Sequence, residues 1–174
     1  EFDGTTYVPI STGMTTDTPS FIKAHKNQLF LSFRGSSQNS GVGFPYVWTT
    51  VTGAAEIGAG DTITGYATLP GESLAIAPRN SLRNLSGSTT DDFLLKTISD
   101  ERGCIPYTMQ TVGNGFCMDD AGVVRITPTQ SYGDFSENIV SRRVQDLIDT
   151  MQAKATASVT YKHKNQYRIY GNDG

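Results

Sequence analysis

The sequence predicts an all-β fold of repeated four-stranded antiparallel units, like the blades of a β-propeller. The tetrapeptide His-Lys-Asn-Gln at 25–28 recurs at 163–166, each time before a strand-like run, and weaker copies lie at 71–77 and 113–119. The repeated strands start at Leu29, Leu74, Phe116 and Tyr167, in steps of 45, 42 and 51 residues. A strand-rich period of about 40–50 residues is typical of a propeller blade.

Composition agrees with short strands and tight turns. The 174 residues include 18 Gly, and 37% are hydrophobic, which suits a single domain over 1–174 with a real core. The net charge of −3 and the pI near 5.3 give no sign of a nucleic-acid partner, and no apolar run approaches a membrane span. Because the chain begins Glu1-Phe2, without Met or a signal-peptide pattern, we expect a processed chain or an excerpt.

The first unit is predicted from its turns and alternating runs. Residues 5–10 read as an edge strand because of Pro9. Residues 20–24 and 28–33 predict a hairpin around Lys26-Asn27. Residues 34–43 predict a flexible polar loop, and residues 44–51, which contain Trp48, predict an aromatic core strand.

The second and third units are predicted in the same way. Strands are expected at 62–68, 73–77, 82–85, 92–98, 105–112, 115–118 and 123–127. Asp119 to Gly122 carries a turn signature between the last two strands.

The helical pattern comes near the end of the chain. Apolar residues at helical spacing predict one inserted α-helix over about 139–152, with Ser136 or Ser141 as its N-cap. A last hairpin of 157–161 with 166–170 then leaves the fourth unit incomplete. The inserted helix explains the longer step of 51 residues.

The repeat favours stacked sheets over other all-β arrangements. Residues 29–31 and 74–76 are apolar on both faces, as strands between neighbouring sheets would be. A sandwich or an open meander is the alternative.

The two cysteines, Cys104 and Cys117, are expected to be free thiols. If a turn at Gly113-Asn114 joins continuous strands, the two residues lie roughly 20 Å apart at strand rise, beyond disulfide reach. Free thiols fit a reducing compartment.

No catalytic, cofactor-binding or metal-binding residues are predicted, and the chain is expected to be non-enzymatic. His25 and His163 occupy the same position of the repeat and should be far apart, and no nucleophile-elbow motif is present. The carboxylates that could serve glycoside hydrolysis are expected to belong to turns or caps: Asp91, Asp92, Asp119, Asp120, Asp134 and Glu137. Trp48 with Tyr46 could stack on a sugar, but a core position is favoured.

The sequence resembles propeller-forming structural proteins of tailed bacteriophages, in tail hubs and related virion parts. The resemblance lies in residues 26–30 and their copy at 164–169, in 44–48, in the turn at 119–123, and in Gly133-Asp134-Phe135 followed by Ser141 and the helix. It loosely covers nearly the whole chain and implies no catalytic motif. A closed ring in such proteins needs more blades than 174 residues supply, which implies a fragment or an assembly with another copy.

The function expected from this resemblance is that of a structural component of a phage tail or virion, assembled in the cytoplasm of the host bacterium. The expected partners are other virion or tail proteins and further copies of the chain, without nucleic acid or membrane. The blade rims and the loops around 34–43 and 86–91 would make these contacts. The rival is a carbohydrate-binding or glycan-hydrolysing propeller module.

Overall fold

Antiparallel sheets follow one another along the chain. The computed structural model describes residues 4–7, 9–14, 18–129 and 133–172. Within these residues the fold is all-β, with three four-stranded sheets, one two-stranded sheet and one short α-helix. The sheets do not close into a barrel or a ring within the described ranges.

Each of the first two sheets is a simple meander in chain order. The first sheet contains strands β1 to β4, which are Ile22–His25, Gln28–Phe33, Ser36–Asn39 and Ala55–Gly58. The second sheet contains β5 to β8, which are Ile63–Leu69, Ser73–Pro78, Leu82–Ser86 and Leu94–Ser99.

The third sheet repeats this order, and a two-stranded sheet follows it. The third sheet contains β9 to β12, which are Gln110–Val112, Asn114–Asp119, Gly122–Pro128 and Phe135–Ile139. After a single α-helix, α1 (Gln145–Gln152), the fourth sheet consists of β13 and β14, which are Ala155–Tyr161 and Gln166–Gly171. No helix in the described part of the chain is long and apolar enough to cross a bilayer.

The four strand starts of the repeat occupy equivalent places. Leu29, Leu74, Phe116 and Tyr167 lie in β2, β6, β10 and β14, and each of these is the second strand of its sheet. The periodicity of the sequence therefore corresponds to a periodicity of sheets.

Three hydrophobic cores lie between successive sheets. The first joins Phe30 of β2 to Leu74 and Ile76 of β6, and the second joins Ala75 and Ala77 of β6 to strands β10 and β11. The third joins β10 and α1 to β14. Alternate residues of β6 thus enter different cores, which explains why this strand is apolar on both faces.

The prediction of a flexible loop over 34–43 is wrong, because residues 36–39 form β3 and are mostly buried. Backbone pairing to β2 on one edge and β4 on the other needs no apolar side chains. Two of the buried side chains also find partners: the Ser37 and Tyr66 hydroxyls lie 2.8 Å apart, and Asn39 Nδ2 donates to the Gly53 carbonyl at 2.9 Å. The Asn39 Oδ1 meets no partner within the described residues. Paired polar groups can be buried at little cost.

The prediction of an aromatic core strand over 44–51 is also wrong. The segment is a loop with a short 3₁₀ turn at Thr50–Thr52, and β4 begins after it. Pro45 has no N–H to give a ladder, and the Val47 N–H donates back to the Phe44 carbonyl at 3.1 Å, which folds the chain into a turn.

The helix is shorter than predicted. Ile139 ends β12, a strand that was not predicted, and a 3₁₀ turn (Arg142–Val144) precedes α1. Ser136 lies within β12, while the Ser141 Oγ accepts a hydrogen bond from the Val123 N–H at 3.0 Å and caps no helix through its side chain. Half-buried and exposed side chains alternate over Phe135–Ile139, which suits a strand that pairs with β11. This pairing forms in place of the helical turn that the spacing of the apolar residues predicted.

Two further strand predictions fail in part. Within residues 5–10 the described positions form no strand beyond an isolated bridge at Tyr7, and Val8 lies outside the described residues. Of the strand predicted over 105–112, only β9 forms, because Thr108 closes a turn onto the Ile105 carbonyl.

Candidate functional site

Exposed apolar side chains are grouped on the loop that joins β3 to β4. Val42, Phe44, Tyr46 and Val51 expose 37%, 51%, 49% and 96% of their surface. We call the loop surface the set formed by residues 41–53, the β1–β2 turn at 26–27 and the β7–β8 loop at 86–92. Large apolar and aromatic side chains on an ordered loop are typical of protein-binding surfaces.

The loop 41–53 is held by its own backbone. The Gly41 N–H donates to the Val47 carbonyl at 2.9 Å, and the Val42 N–H donates to the Thr52 carbonyl at 3.3 Å. Gly41 is required here, since a Cβ at this position would lie 2.6 Å from the Thr52 hydroxyl. The exposed aromatic side chains are therefore presented from a fixed backbone.

The loop 86–92 is organised by Asp92. Its Oδ1 accepts hydrogen bonds from the Ser88 N–H at 2.8 Å and from the Thr89 N–H at 2.7 Å. These bonds, the Thr89 one first, lower the pKa of the exposed Asp92 carboxyl. At Gly87, with φ of 103°, an added Cβ would lie only 2.4 Å from the Asp92 carbonyl oxygen. The strand expected over 92–98 therefore begins later, at Leu94, and Asp92 belongs to the loop before it.

Three hydrogen bonds join the parts of the loop surface. Lys26 Nζ donates to the Gly87 carbonyl at 2.8 Å, and the Thr90 hydroxyl donates to the Gly53 carbonyl at 2.6 Å. The Gly43 N–H donates to the Asn27 carbonyl at 2.7 Å. The first and second sheets therefore share one surface at this end.

A cavity of about 720 Å³ adjoins the loop surface. The turns β1–β2, β5–β6 and β11–β12 form its walls together with the facing ends of β7 and β8. Glu72, Leu94 and the ion pair of Lys96 Nζ with Asp134 Oδ1 at 2.7 Å line it. Its volume lies in the range that holds a small ligand, and its lining combines both charges with apolar carbon.

His25 lies beside this cavity and is almost fully buried. Its Nε2 has no hydrogen-bond partner within the described residues, and its ring meets Phe30 edge-on at 6.2 Å between centroids. Burial, followed by the Lys26 charge, lowers the pKa of His25 below its usual 6.5. His25 also lines two smaller cavities of about 500 and 460 Å³, each shared with Lys26 and Asn27.

The carboxylates considered for glycoside hydrolysis do not form one site. Asp92 holds its own loop, Asp120 forms a bidentate pair with Arg79 at 2.6 and 2.8 Å, and Asp134 pairs with Lys96. Only Asp134 of these three lines the 720 Å³ cavity. A glycosidase needs two carboxyl groups facing one bond, and each of these three carboxylates serves a different structural contact.

Two further candidate carboxylates and the second histidine lie outside the cavity. Glu137 Oε1 accepts a hydrogen bond from Arg102 Nε at 3.2 Å, and Asp119 is buried with Arg102 Nη1 at 3.8 Å. His163 lies in the exposed β13–β14 turn, so the two histidines belong to different sheets. No group of three or more His, Cys, Asp or Glu side chains within the described ranges could hold a metal ion.

Trp48 and Tyr46 differ in exposure. Tyr46 is half exposed, whereas Trp48 is partly buried with an indole N–H that meets no partner within the described residues. The core position favoured for this segment is therefore wrong for Tyr46. Tyr46 lies in the turn closed by the Val47 N–H and the Phe44 carbonyl, where its side chain is exposed.

Cys104 and Cys117 are free, as predicted, and both are fully buried, but the predicted separation of about 20 Å is wrong. The turn at 105–108 carries Cys104 back onto β10, where the two thiols contact each other. The hydrogen bond with Cys104, followed by burial, raises the pKa of Cys117. Both thiols belong to the core between the second and third sheets.

Sequence reasoning named Asp134 as a candidate carboxylate but missed the other residues that form the cavity. Lys96 and Asp134 are 38 positions apart and Lys26 and Gly87 are 61 apart, so no local pattern connects them. The only usable signal was the repeat, which places equivalent turns at the same end of neighbouring sheets.

No protein-family model matches the chain, and no curated protein is significantly similar to it. The resemblance to phage tail proteins therefore stays a prediction.

Proposed function

We propose that the chain is a propeller-like stack of blades that serves as a non-enzymatic structural component of a phage tail or virion. Its loop surface is the docking site for another virion protein. The finer architecture and the role are both parts of this proposal.

The order of sheets and cores supports the blade architecture. Three four-stranded meanders follow one another, and a fourth sheet begins in the same way. The second strands β6 and β10 each lie between two cores, while β2 and β14 each enter one core. A unit that buries its faces only against its neighbours is typical of repeat architectures. In a stack of blades, the equivalent turns of neighbouring sheets lie at the same end of the stack. We expect a propeller-like protein to bind its partner at this end.

The loop surface is the observation that carries the docking role. Phe44, Tyr46 and Val51 are exposed, yet the loop that carries them is fixed by backbone hydrogen bonds. A fixed aromatic anchor loses little conformational entropy on binding, which is why aromatic residues dominate binding hot spots. The loop contact predicted for 34–43 moves to 41–53, since residues 36–39 are largely buried.

Particle composition tests the proposal. Virus particles are purified by density gradient from a culture of the strain that encodes the chain, and their peptides are identified by mass spectrometry. We expect peptides of this chain in the particle fraction. Their presence only in the soluble fraction contradicts the virion role.

Matched variants test the docking surface. The double change Phe44→Ser and Tyr46→Ser should remove the chain from particles, whereas Val144→Ser with Leu147→Ser should not. Both pairs replace exposed apolar residues, but the second pair lies at α1, away from the loop surface. Equal incorporation of both variants contradicts the docking site, and circular dichroism verifies that each variant is folded.

A carbohydrate-binding module is the second candidate, favoured by the 720 Å³ cavity with its mixed charged and apolar lining. To test it, bacterial surface oligosaccharides are titrated into the wild-type chain and into the Lys96→Met variant, and binding is followed by the fluorescence of Trp48. Saturable binding that is lost in Lys96→Met supports this candidate. Glycan hydrolysis that is abolished by Asp134→Asn would support an enzymatic form.

A further inference from the structure

Two fully buried thiols, Cys104 and Cys117, lie side by side in the core between the second and third sheets. The Ile105 N–H donates to the Met118 carbonyl at 2.7 Å, which brings the chain next to Cys104 alongside β10. The Cys117 thiol donates to the Gly103 carbonyl at 3.7 Å, and this carbonyl belongs to the peptide bond that enters Cys104. The two side chains therefore share one small volume of the core.

A threonine hydroxyl contacts both chain segments that carry the thiols. Thr108 Oγ1 lies 3.4 Å from Cys104 Sγ, and it accepts a hydrogen bond from the Met118 N–H at 3.1 Å. The Met118 nitrogen is bonded to Cys117. Contacts from both segments thus enclose the pair, and the thiols also hydrogen-bond each other.

The backbone fixes the position of Cys104. Its N–H donates to the Pro78 carbonyl at 3.2 Å, and its carbonyl accepts a hydrogen bond from Thr64 Oγ1 at 2.7 Å. The preceding residue must be glycine, because a Cβ at Gly103 would overlap the Arg79 carbonyl. Since the second sulfur is already in place, a bond within the pair is favoured over a bond to an outside molecule.

We propose that Cys104 and Cys117 are a modification site, at which a peroxide converts the two thiols into an intramolecular disulfide that clamps the turn at 105–108 onto β10. The inference goes beyond the docking role and stands on the contact between the thiols. A virion part made in a reducing host cytoplasm would carry the free thiols, and the disulfide would form after release into an oxidising medium. Only this timing rests on the proposed function.

Burial selects the class of oxidant. Both thiols are fully buried, which excludes bulky thiol reagents. A peroxide molecule is little larger than water, and a cavity of about 400 Å³ is lined by Thr64, Tyr107 and Met109. Met109 belongs to the same hydrophobic core as the two thiols. The cavity therefore brings a small oxidant to the edge of the core that holds the pair.

The reaction balances with one molecule of hydrogen peroxide. Burial raises the pKa of Cys104, but hydrogen bonds, that with Cys117 first, outweigh it and lower this pKa, so Cys104 is the first nucleophile. Its thiolate takes one oxygen as the O–O bond breaks, which gives a sulfenic acid and one water. The Cys117 sulfur then attacks the Cys104 sulfur, the S–O bond breaks, and a second water leaves with the Cys117 proton. The two sulfurs lose two electrons, and the peroxide oxygens gain them.

Mass spectrometry tests the pair directly. The wild-type chain is treated with hydrogen peroxide without denaturant, alkylated in denaturant and digested with chymotrypsin, which cleaves after Tyr107 and Phe116, between the cysteines. We expect the fragments of Cys104 and Cys117 to be joined, with a loss of about 2 Da that dithiothreitol reverses. Methionine oxidation adds mass instead, and dithiothreitol does not reverse it.

Thermal unfolding measures the clamp. A disulfide that closes residues 104–117 constrains the unfolded chain, so oxidation should raise the unfolding temperature by roughly 5–10 °C. Cys104→Ala and Cys117→Ala are the matched variants, because each keeps one buried thiol and meets the same peroxide. Peroxide should raise the unfolding temperature of neither variant. Circular dichroism verifies that both variants are folded, and the wild-type measurements stand without them.

The outcomes separate this inference from the proposed function. A reversible disulfide within one molecule, together with the higher unfolding temperature, supports the clamp. Sulfinic or sulfonic acids without a disulfide overturn it, as does a disulfide that joins two molecules. Thiols that stay free at a peroxide concentration that oxidises the unfolded chain also overturn it, and so does an intramolecular disulfide that leaves the unfolding temperature unchanged. If the clamp forms while the chain is absent from particles, only the virion role fails.

Discussion

The first and last hairpins share the tetrapeptide His-Lys-Asn-Gln but differ in structure and surroundings. In the first hairpin, Lys26 and Asn27 form a two-residue turn with φ of 45° and 59°, and His25 pairs with Gln28. In the last, a four-residue connection separates Tyr161 from its partner Gln166, so His163 lies in the turn. Two-residue turns with positive φ and longer loops both join antiparallel strands, so the tetrapeptide alone does not choose between them.

Burial is the second difference. The strand β2 is almost entirely buried, whereas β14 alternates between exposed and half-buried residues. The first hairpin is covered by β3 and by the second sheet, while the last has a neighbour on one face. Substitutions at equivalent positions of the two hairpins should therefore change the free energy of unfolding by different amounts, and the predictions below measure that difference.

The largest difference should come from equivalent strand positions. Phe30 follows the tetrapeptide by two residues, as Arg168 does in the second copy, but Phe30 is fully buried. Phe30→Ala should lower the free energy of unfolding by about 3–5 kcal/mol because it opens a cavity. Arg168→Ala should cost about 1 kcal/mol or less, since it removes only exposed contacts. Urea unfolding measures both changes, and equal losses of unfolding free energy would contradict the prediction.

The two histidines should differ in pH dependence. The folded-state pKa of His25 lies below its usual 6.5, so the unfolded chain binds the proton more readily and stability falls as the pH drops below about 6.5. The slope from this one group is at most about 1.4 kcal/mol per pH unit. Urea unfolding at several pH values should show a weaker dependence in His25→Gln. The control His163→Gln should keep the wild-type dependence, and a match between the two variants would contradict the prediction.

The two lysines should differ less. Lys26→Met removes the hydrogen bonds to the Gly87 carbonyl and the Ser88 hydroxyl, which should cost about 0.5–1.5 kcal/mol. Amide hydrogen exchange in the loop 86–92 should become faster. Lys164→Met changes an exposed turn residue and should alter stability by less than about 0.5 kcal/mol. If the amide hydrogen exchange of Lys26→Met is unchanged, the loop 86–92 is not stabilised by its hydrogen bonds to the β1–β2 turn.

The smallest effect tests what the two turns have in common. Asn27 and Asn165 both have left-handed backbones, with φ of 59° and 52°. Asn→Gly at either position should change the free energy of unfolding by a few tenths of a kcal/mol, with similar values at both sites, because the preference for left-handed φ is local. Thermal unfolding of the two variants checks this. A large difference would mean that the Asn27 side chain has a role beyond the turn.

Sequence reasoning succeeded where a local pattern determined the structure. The strands β2, β5, β6, β7, β10 and β11 and the last hairpin lie close to their predicted positions. It failed where polar residues form a strand, as in β3, and where aromatic residues form a loop, as at 44–51. In both cases the hydrophobicity of the segment indicated the wrong environment, because pairing to neighbouring strands and a proline turn decided the outcome.

The candidate site was less predictable than the fold. The loop at 86–91 was expected as a contact surface, but Asp92, which was expected to begin a strand, instead organises this loop. The cavity, the burial of His25 and the contact of Cys104 with Cys117 were not expected. All three depend on groups that are distant in the chain, so no pattern in a single segment could indicate them.

The sequence alone determined the spacing of the second strands, the left-handed turn residues and the alternation of side chains, since these depend on a few neighbouring residues. Only the tertiary structure decided which copy of the tetrapeptide is buried, which polar strand is enclosed and which aromatic loop is exposed. The reason is that burial depends on which sheet stacks on which, and that is settled by contacts between residues tens of positions apart.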